Sequence, residues 1–100
     1  MKDYRVLESQ VLEWAKDKGI FDKGTPIKQS YKTLEEVGEL ISAVSINDKA
    51  EIKDALGDIL VTIIIQAKMQ NLDLIECVES AYNIISKRNG KMVNGTFVKD

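Results

Sequence analysis

A chain of 100 residues, 44% hydrophobic and 30% charged, has room for one hydrophobic core, so residues 1–100 are expected to form a single domain. With 14 basic and 16 acidic residues the net charge is -2, and the overall field draws in neither nucleic acid polymers nor anionic membranes. The absence of histidine excludes imidazole bases, Ser-His-Asp and Cys-His systems and the H-E-x-x-H zinc site, which leaves proton transfer to carboxylates, lysines and tyrosines.

The first expected helix runs from about Tyr4 to Lys18. Val6, Leu7, Val11, Leu12 and Trp14 recur at mostly three- and four-residue spacings, and Gly19 supplies a stop. A lone Trp on such a stripe is more often core than binding surface. The stretch Ile20 to Gln29 holds Gly24 and the only proline, and is expected to be the one substantial loop. A second helix, about Lys28 to Ile46, has Leu34, Val37, Ile41 and Val44 as its expected core stripe, with Asn47-Asp48 forming a turn and N-cap. A third, about Lys49 to Asn71, carries Ile52, Leu56, Ile59, Leu60, Ile63 and Ile64 too densely for a helix with an exposed side, so it is central or faces another subunit. The run Ile59 to Ile65 alone reads equally well as a buried strand, but the pattern continues on both sides without a proline, and that length favours helix.

The fourth helix, about Asp73 to Arg88, opens on an Asp-x-x-Glu cap pattern at Asp73 and Glu76 and ends near Gly90. In Met92 to Val98, Asn94-Gly95 separates two short β-prone runs, a strong hairpin signal. The expected fold is therefore all-α, four-helix-bundle-like with a small C-terminal β-hairpin, and the apolar surplus of the third helix makes it oligomeric, a dimer or tetramer. Cys77 has no partner for a disulfide or metal knuckle, which suits a reducing compartment. Neither a membrane span nor a signal peptide is legible, so the expected location is cytoplasmic, and the Asn94-Gly95-Thr96 sequon reads as a turn.

The acids are concentrated. On the second helix Gln29, Lys32, Glu36 and Glu39 form one stripe that Leu40 and Ala43 continue into apolar territory. On the third, Glu51, Asp54 and Asp58 lie on a line that continues through Thr62 and Ile65. Acids near helix starts favour the macrodipole, which accounts for Glu35 and Glu51. Glu39 and Asp58 lie deeper in their helices and share faces with apolar residues. Clustered carboxylates repel unless a cation sits among them, and an all-oxygen set suits a hard ion, Mg²⁺ or Mn²⁺, that joins carboxylates to phosphates.

The segments Lys32-Thr33-Leu34-Glu35-Glu36-Val37-Gly38-Glu39-Leu40 and Glu51-Ile52-Lys53-Asp54-Ala55-Leu56-Gly57-Asp58-Ile59-Leu60 resemble the MazG-like branch of the all-α nucleoside triphosphate pyrophosphohydrolases, most closely its short phage and prophage-type members. Trp14 to Ile20, Gln29 and Arg88 to Val93 extend the likeness over nearly the whole chain. The resemblance implies Mg²⁺-dependent hydrolysis of a nucleoside triphosphate between its α and β phosphorus atoms. It implies Glu36 and Glu39 as metal ligands and catalytic residues, either one being the base, with Asp58 as a further ligand. The glutamate that the family has three residues before Asp58 is Ala55 here, and Asp54 or Glu51 is its candidate replacement. No glycine-rich phosphate loop is present. Candidate substrate-binding residues are Lys32, Gln29, Trp14, Asn83, Lys87, Arg88 and Lys91, although a basic pair at a helix end also serves the dipole. The competing reading is a non-catalytic helical oligomerisation or regulatory protein with solvated acids. A helix-turn-helix DNA binder lacks its basic recognition helix, and a di-iron bundle lacks its Glu-x-x-His pairs.

Overall fold

The computed structural model describes residues 1–100. Its elements are α1 (Tyr4–Asp17), α2 (Ile20–Lys23), α3 (Pro26–Ser45), α4 (Lys49–Met69), α5 (Leu74–Ile85), β1 (Gly90–Val93) and β2 (Thr96–Lys99). Side chains cap four of the five helices at their N-termini: Asp3 accepts from Val6 N–H, Thr25 from Lys28 N–H, Asp48 from Glu51 N–H and Asp73 from Ile75 N–H.

Two helices end in the same way. After α3, Asn47 takes φ 53°, with its N–H on Val44 O and that of Asp48 on Ala43 O; after α4, Asn71 takes φ 56°, with its N–H on Lys68 O and that of Leu72 on Ala67 O. Both are Schellman closures that use asparagine where glycine is commoner. The first makes α3 and α4 an antiparallel pair with a three-residue turn, and this pair is the centre of the molecule.

Core positions are few. Of the seven buried residues, five lie on α4 (Ala55, Thr62, Ile64, Ile65 and Ala67), with Ala15 from α1 and Ala43 from α3. The expected central place of this helix is therefore observed. Between α3 and α4, Thr33 Oγ1 donates to Thr62 Oγ1 at 2.8 Å, Thr62 Oγ1 donates to Ile59 O at 2.7 Å and Gln29 Nε2 donates to Thr62 O at 3.2 Å. These bonds pin the rotation of α3 against α4. At the far end, Arg5 bonds both Glu8 and Asp73 at 2.9 Å and ties α1 to the start of α5.

Five expectations are corrected. The stretch Ile20 to Gln29 is not one loop, because Gly19 at φ 77° lets a single helical turn, α2, follow α1 directly. Thr25 then caps α3 with Pro26 at its first position, two residues before the expected start. The fourth expected helix ends at Ile85, short of Arg88. The stripe Leu34, Ile41 and Val44 is also exposed instead of core, while Thr33, Glu36, Val37, Leu40 and Ala43 are at least half-buried. Trp14, too, is exposed over half its surface and not in the core.

The hairpin has the expected turn. Asn94 and Gly95 take φ 49° and 84°, β1 pairs antiparallel with β2, and Met92 faces Phe97 in the register. No residue of α5, β1 or β2 is buried. No helix is long and apolar enough to cross a membrane.

Candidate functional site

The register of α3 on α4 brings one edge of each helix together at Glu36, Glu39 and Asp58, whose nearest carboxylate oxygens lie within 4.8 Å of one another. Glu36 is the innermost. Its residue is half-buried, and its Oε2 is cut off from solvent with no hydrogen-bond partner. Two ionised carboxylates cannot bond each other, so the nearby Glu39 satisfies this atom only when a proton lies between them. Accordingly burial first, then the bond with Glu39, then the charges of Glu39 and Asp58 push the Glu36 carboxyl above the usual range, while Lys32 opposes the shift.

This arrangement fits a hard divalent cation. A buried oxygen without a donor and two further carboxylates form an all-oxygen set, and a cation in their midst would satisfy the orphaned atom and remove the repulsion. Asp54 and Glu51 are not part of the convergence. Asp54 stays exposed one turn before Asp58, and Glu51 lines a different cleft with Glu35, Gly38 and Glu39.

Beside the carboxylates lies an open cleft of about 610 Å³ between the end of α1, α2, the first half of α3 and the middle of α4. Glu36 and Asp58 are part of its lining, together with Trp14, Gln29 and Lys32. Gln29 gives its amide nitrogen to the Thr62 carbonyl, and Lys32 Nζ is shared with Glu35 at 3.3 Å. Three more lysines line the cleft: Lys18 from the end of α1, Lys23 from the end of α2 and Lys28 from the first turn of α3. None of these three makes an ion pair.

The sequence reading missed that trio because it took Ile20 to Gln29 as loop. The signal was available in Thr25-Pro26, a cap followed by the residue favoured at the first helical position, which sets Lys28 one turn before Lys32. By contrast Asn83, Lys87, Arg88 and Lys91 are exposed on α5, the turn after it and β1, and in one copy of the chain they line no part of this cleft.

The family model for the MazG nucleotide pyrophosphohydrolase domain matches residues 25–93, a span that contains both acidic helices. The chain belongs to this MazG family. It is also 39% identical over 75 residues to an uncharacterised 18.2 kDa protein from the rep-hol intergenic region of Haemophilus phage HP1 (strain HP1c1). That match covers 75% of this chain and 46% of the phage protein, so the chain spans about half the length of this relative. No solved structure matches the chain.

Proposed function

We propose that this MazG domain is a Mg²⁺-dependent nucleoside triphosphate pyrophosphohydrolase that releases a nucleoside monophosphate and pyrophosphate. The observation that carries the reading is the solvent-excluded, donor-less Oε2 of Glu36 among three converging carboxylates, at the edge of a cleft lined with lysines. Glu36, Glu39 and Asp58 would hold the cation, Mg²⁺ or in its place Mn²⁺. The bound ion supplies charge neutralisation at the phosphates and orients them for attack.

The chain's own groups account for the rest. Glu36 or Glu39, through an oxygen not engaged by the cation, would take a proton from the water that attacks the α-phosphorus. The bond from that phosphorus to the bridging oxygen breaks, and the β and γ phosphates leave as pyrophosphate. Lys32, on the same face of α3 one turn before Glu36, offsets the charge that builds on the phosphate oxygens. Gln29 positions α4 through Thr62, and Trp14 borders the carboxylates through its share in the cleft. Asp54 and Glu51 remain the candidates to replace the family glutamate at Ala55.

Self-association as a dimer or tetramer belongs to the same proposal. A folded monomer of 11.2 kDa is expected to expose about 5,700 Å², whereas this chain exposes 7870 Å². The surplus of about 2,200 Å² per copy falls in the range of obligate dimer interfaces once doubled. The radius of gyration, 15.8 Å against about 13 Å for a compact domain of this length, agrees. Leu34, Ile41, Leu56 and Leu60 on α3 and α4, with Val78 and Tyr82 on α5, form the apolar surface available for it. Asn83, Lys87, Arg88 and Lys91 would have to reach substrate from a second copy.

The deciding experiment is a panel of nucleoside triphosphates, unmodified and modified, incubated with and without Mg²⁺ and assayed separately for pyrophosphate and orthophosphate. Mg²⁺-dependent pyrophosphate with equimolar monophosphate is expected. Orthophosphate alone points to a different hydrolase, and no release from any nucleotide returns the chain to a binding or regulatory role.

A further inference from the structure

We propose that substrate lies across Asp58 in one direction only, its β and γ phosphates in the cleft walled by Lys18, Lys23 and Lys28 and its nucleobase in a second cavity between α1 and α4, where Gln10 contacts the base edge. This deepens the reading above and rests on it for the identity of the substrate. The second cavity, about 400 Å³, is lined by Leu7, Gln10, Val11, Trp14, Asp58 and Val61. It shares Trp14, Asp58 and Val61 with the lysine-walled cleft. The same carboxylate therefore borders both spaces, which differ in charge: the cleft carries lysines and the second cavity carries none.

The lysine side is built for anionic charge. Lysines from three separate elements, α1, α2 and α3, converge on it without acidic partners, in a protein whose net charge is -2. Thr25 and Lys28 add the N-terminal end of a 20-residue helix, where the peptide dipoles favour negative charge. Two turns of α3, about 12 Å, separate Lys28 from Glu36, so the wall extends away from the carboxylates in the direction a phosphate chain would take. The cleft also holds apolar groups, Ile20 and Ile65 beside the shared Trp14 and Val61, but it alone carries cations, and the second cavity has none to meet a phosphate chain.

The α1–α4 side is built for a flat, mostly apolar group. Leu7, Val11 and Val61 supply aliphatic walls, and the half-exposed Trp14 supplies a ring of the kind that bases stack on. Gln10 is the one amide on this wall. Its Oε1 accepts from Lys2 Nζ at 3.1 Å, which leaves the amide nitrogen as its free group. An amide donor selects base edges that present a carbonyl or an unprotonated ring nitrogen.

Direct binding tests the orientation without turnover, so its outcome is separate from that of the reaction. Calorimetry of inorganic pyrophosphate and of the four nucleoside 5′-monophosphates, all with Mg²⁺, is compared for wild type, the double variant Lys23→Ala/Lys28→Ala and Gln10→Leu. The lysine variant is expected to weaken pyrophosphate about tenfold and the monophosphates less than twofold, with Lys23→Arg/Lys28→Arg restoring pyrophosphate. Gln10→Leu is expected to leave pyrophosphate unchanged and to alter the ranking of the four monophosphates by fivefold or more. All three positions are exposed, and melting curves matched to wild type establish that each variant is folded. Equal weakening of both ligand classes by the lysine variant, loss of monophosphate alone, or an unchanged base ranking in Gln10→Leu would overturn the orientation. Wild-type protein that binds in this pattern yet releases no pyrophosphate would overturn the reaction and leave the orientation standing.

Discussion

Replacing Asp58 with Asn removes one charge from the carboxylate cluster and keeps its shape. At a separation of 4.8 Å, two unit charges in a water-like dielectric repel by about 1 kcal/mol. Asp58 faces two such neighbours, Glu36 and Glu39, and screening at physiological ionic strength roughly halves the total, to about 1 kcal/mol. For a domain of this length that corresponds to a rise in Tm of roughly 4–8 °C. The measurement is thermal melting at pH 8 and fixed protein concentration, with EDTA and with saturating Mg²⁺. In EDTA the variant should melt as high as wild type or up to that much higher. Mg²⁺ at a hundred times its Kd stabilises the wild type by about 2.7 kcal/mol, roughly 10–20 °C here, and Asp58→Asn should lose most of this gain together with turnover. A variant that melts several degrees below wild type in EDTA, or that keeps the full Mg²⁺ shift, would refute the reasoning: the first result makes Asp58 a structural hydrogen-bonding group and the second a bystander.

Gly24 and Gly38 should respond oppositely to alanine. A Cβ at Gly24 would stand 2.4 Å from the Ile20 carbonyl oxygen, so Gly24→Ala should cost about 1–3 kcal/mol in urea unfolding. At Gly38 a Cβ meets nothing within 4 Å, so Gly38→Ala in dilute protein should add up to about 1 kcal/mol from helix propensity; a loss there would mean that a second copy packs on it. The Arg5 bond holds the Asp73 carboxyl below its usual range, so its contribution is complete above pH about 4 and is lost as pH falls through the lower folded-state value. The gap in Tm between wild type and Asp73→Asn should therefore be full at pH 7 and narrow steadily as the medium is acidified below pH about 4, and a gap that widens in acid would be contrary. Sedimentation at micromolar concentration should give a dimer or tetramer, and a clean monomer would leave the exposed stripe on α3 and α4 unaccounted for.

What could be read from the sequence was what a single helix decides for itself. Glu36 and Glu39 share a stripe with Leu40 and Ala43, and the fold turns that stripe toward α4 because its apolar half has to be covered. Asp58 follows from Thr62 and Ile65 in the same manner. Asn94-Gly95 determines its turn by backbone preference alone. The failures came where the outcome depended on neighbours. Leu34, Ile41 and Val44 have a helical period equal to that of the true inner face, and periodicity cannot tell a core stripe from an assembly stripe. The lysine wall was hidden because Lys18, Lys23 and Lys28 become neighbours only through the left-handed Gly19 and the one-turn α2.

The lack of any buried residue after Leu74 gives the chain two stabilities instead of one. The α3–α4 pair holds the interior, so its amides should exchange with solvent deuterium only through global unfolding. The α5 amides have no such shelter in a single copy and should open by local fraying, at a free energy set by one twelve-residue helix and its Asp73 cap. Where a second copy covers α5, its exchange slows with protein concentration from the fast local regime toward the global limit that governs α4. The C-terminal quarter is therefore a built-in gauge of assembly, readable amide by amide without a label.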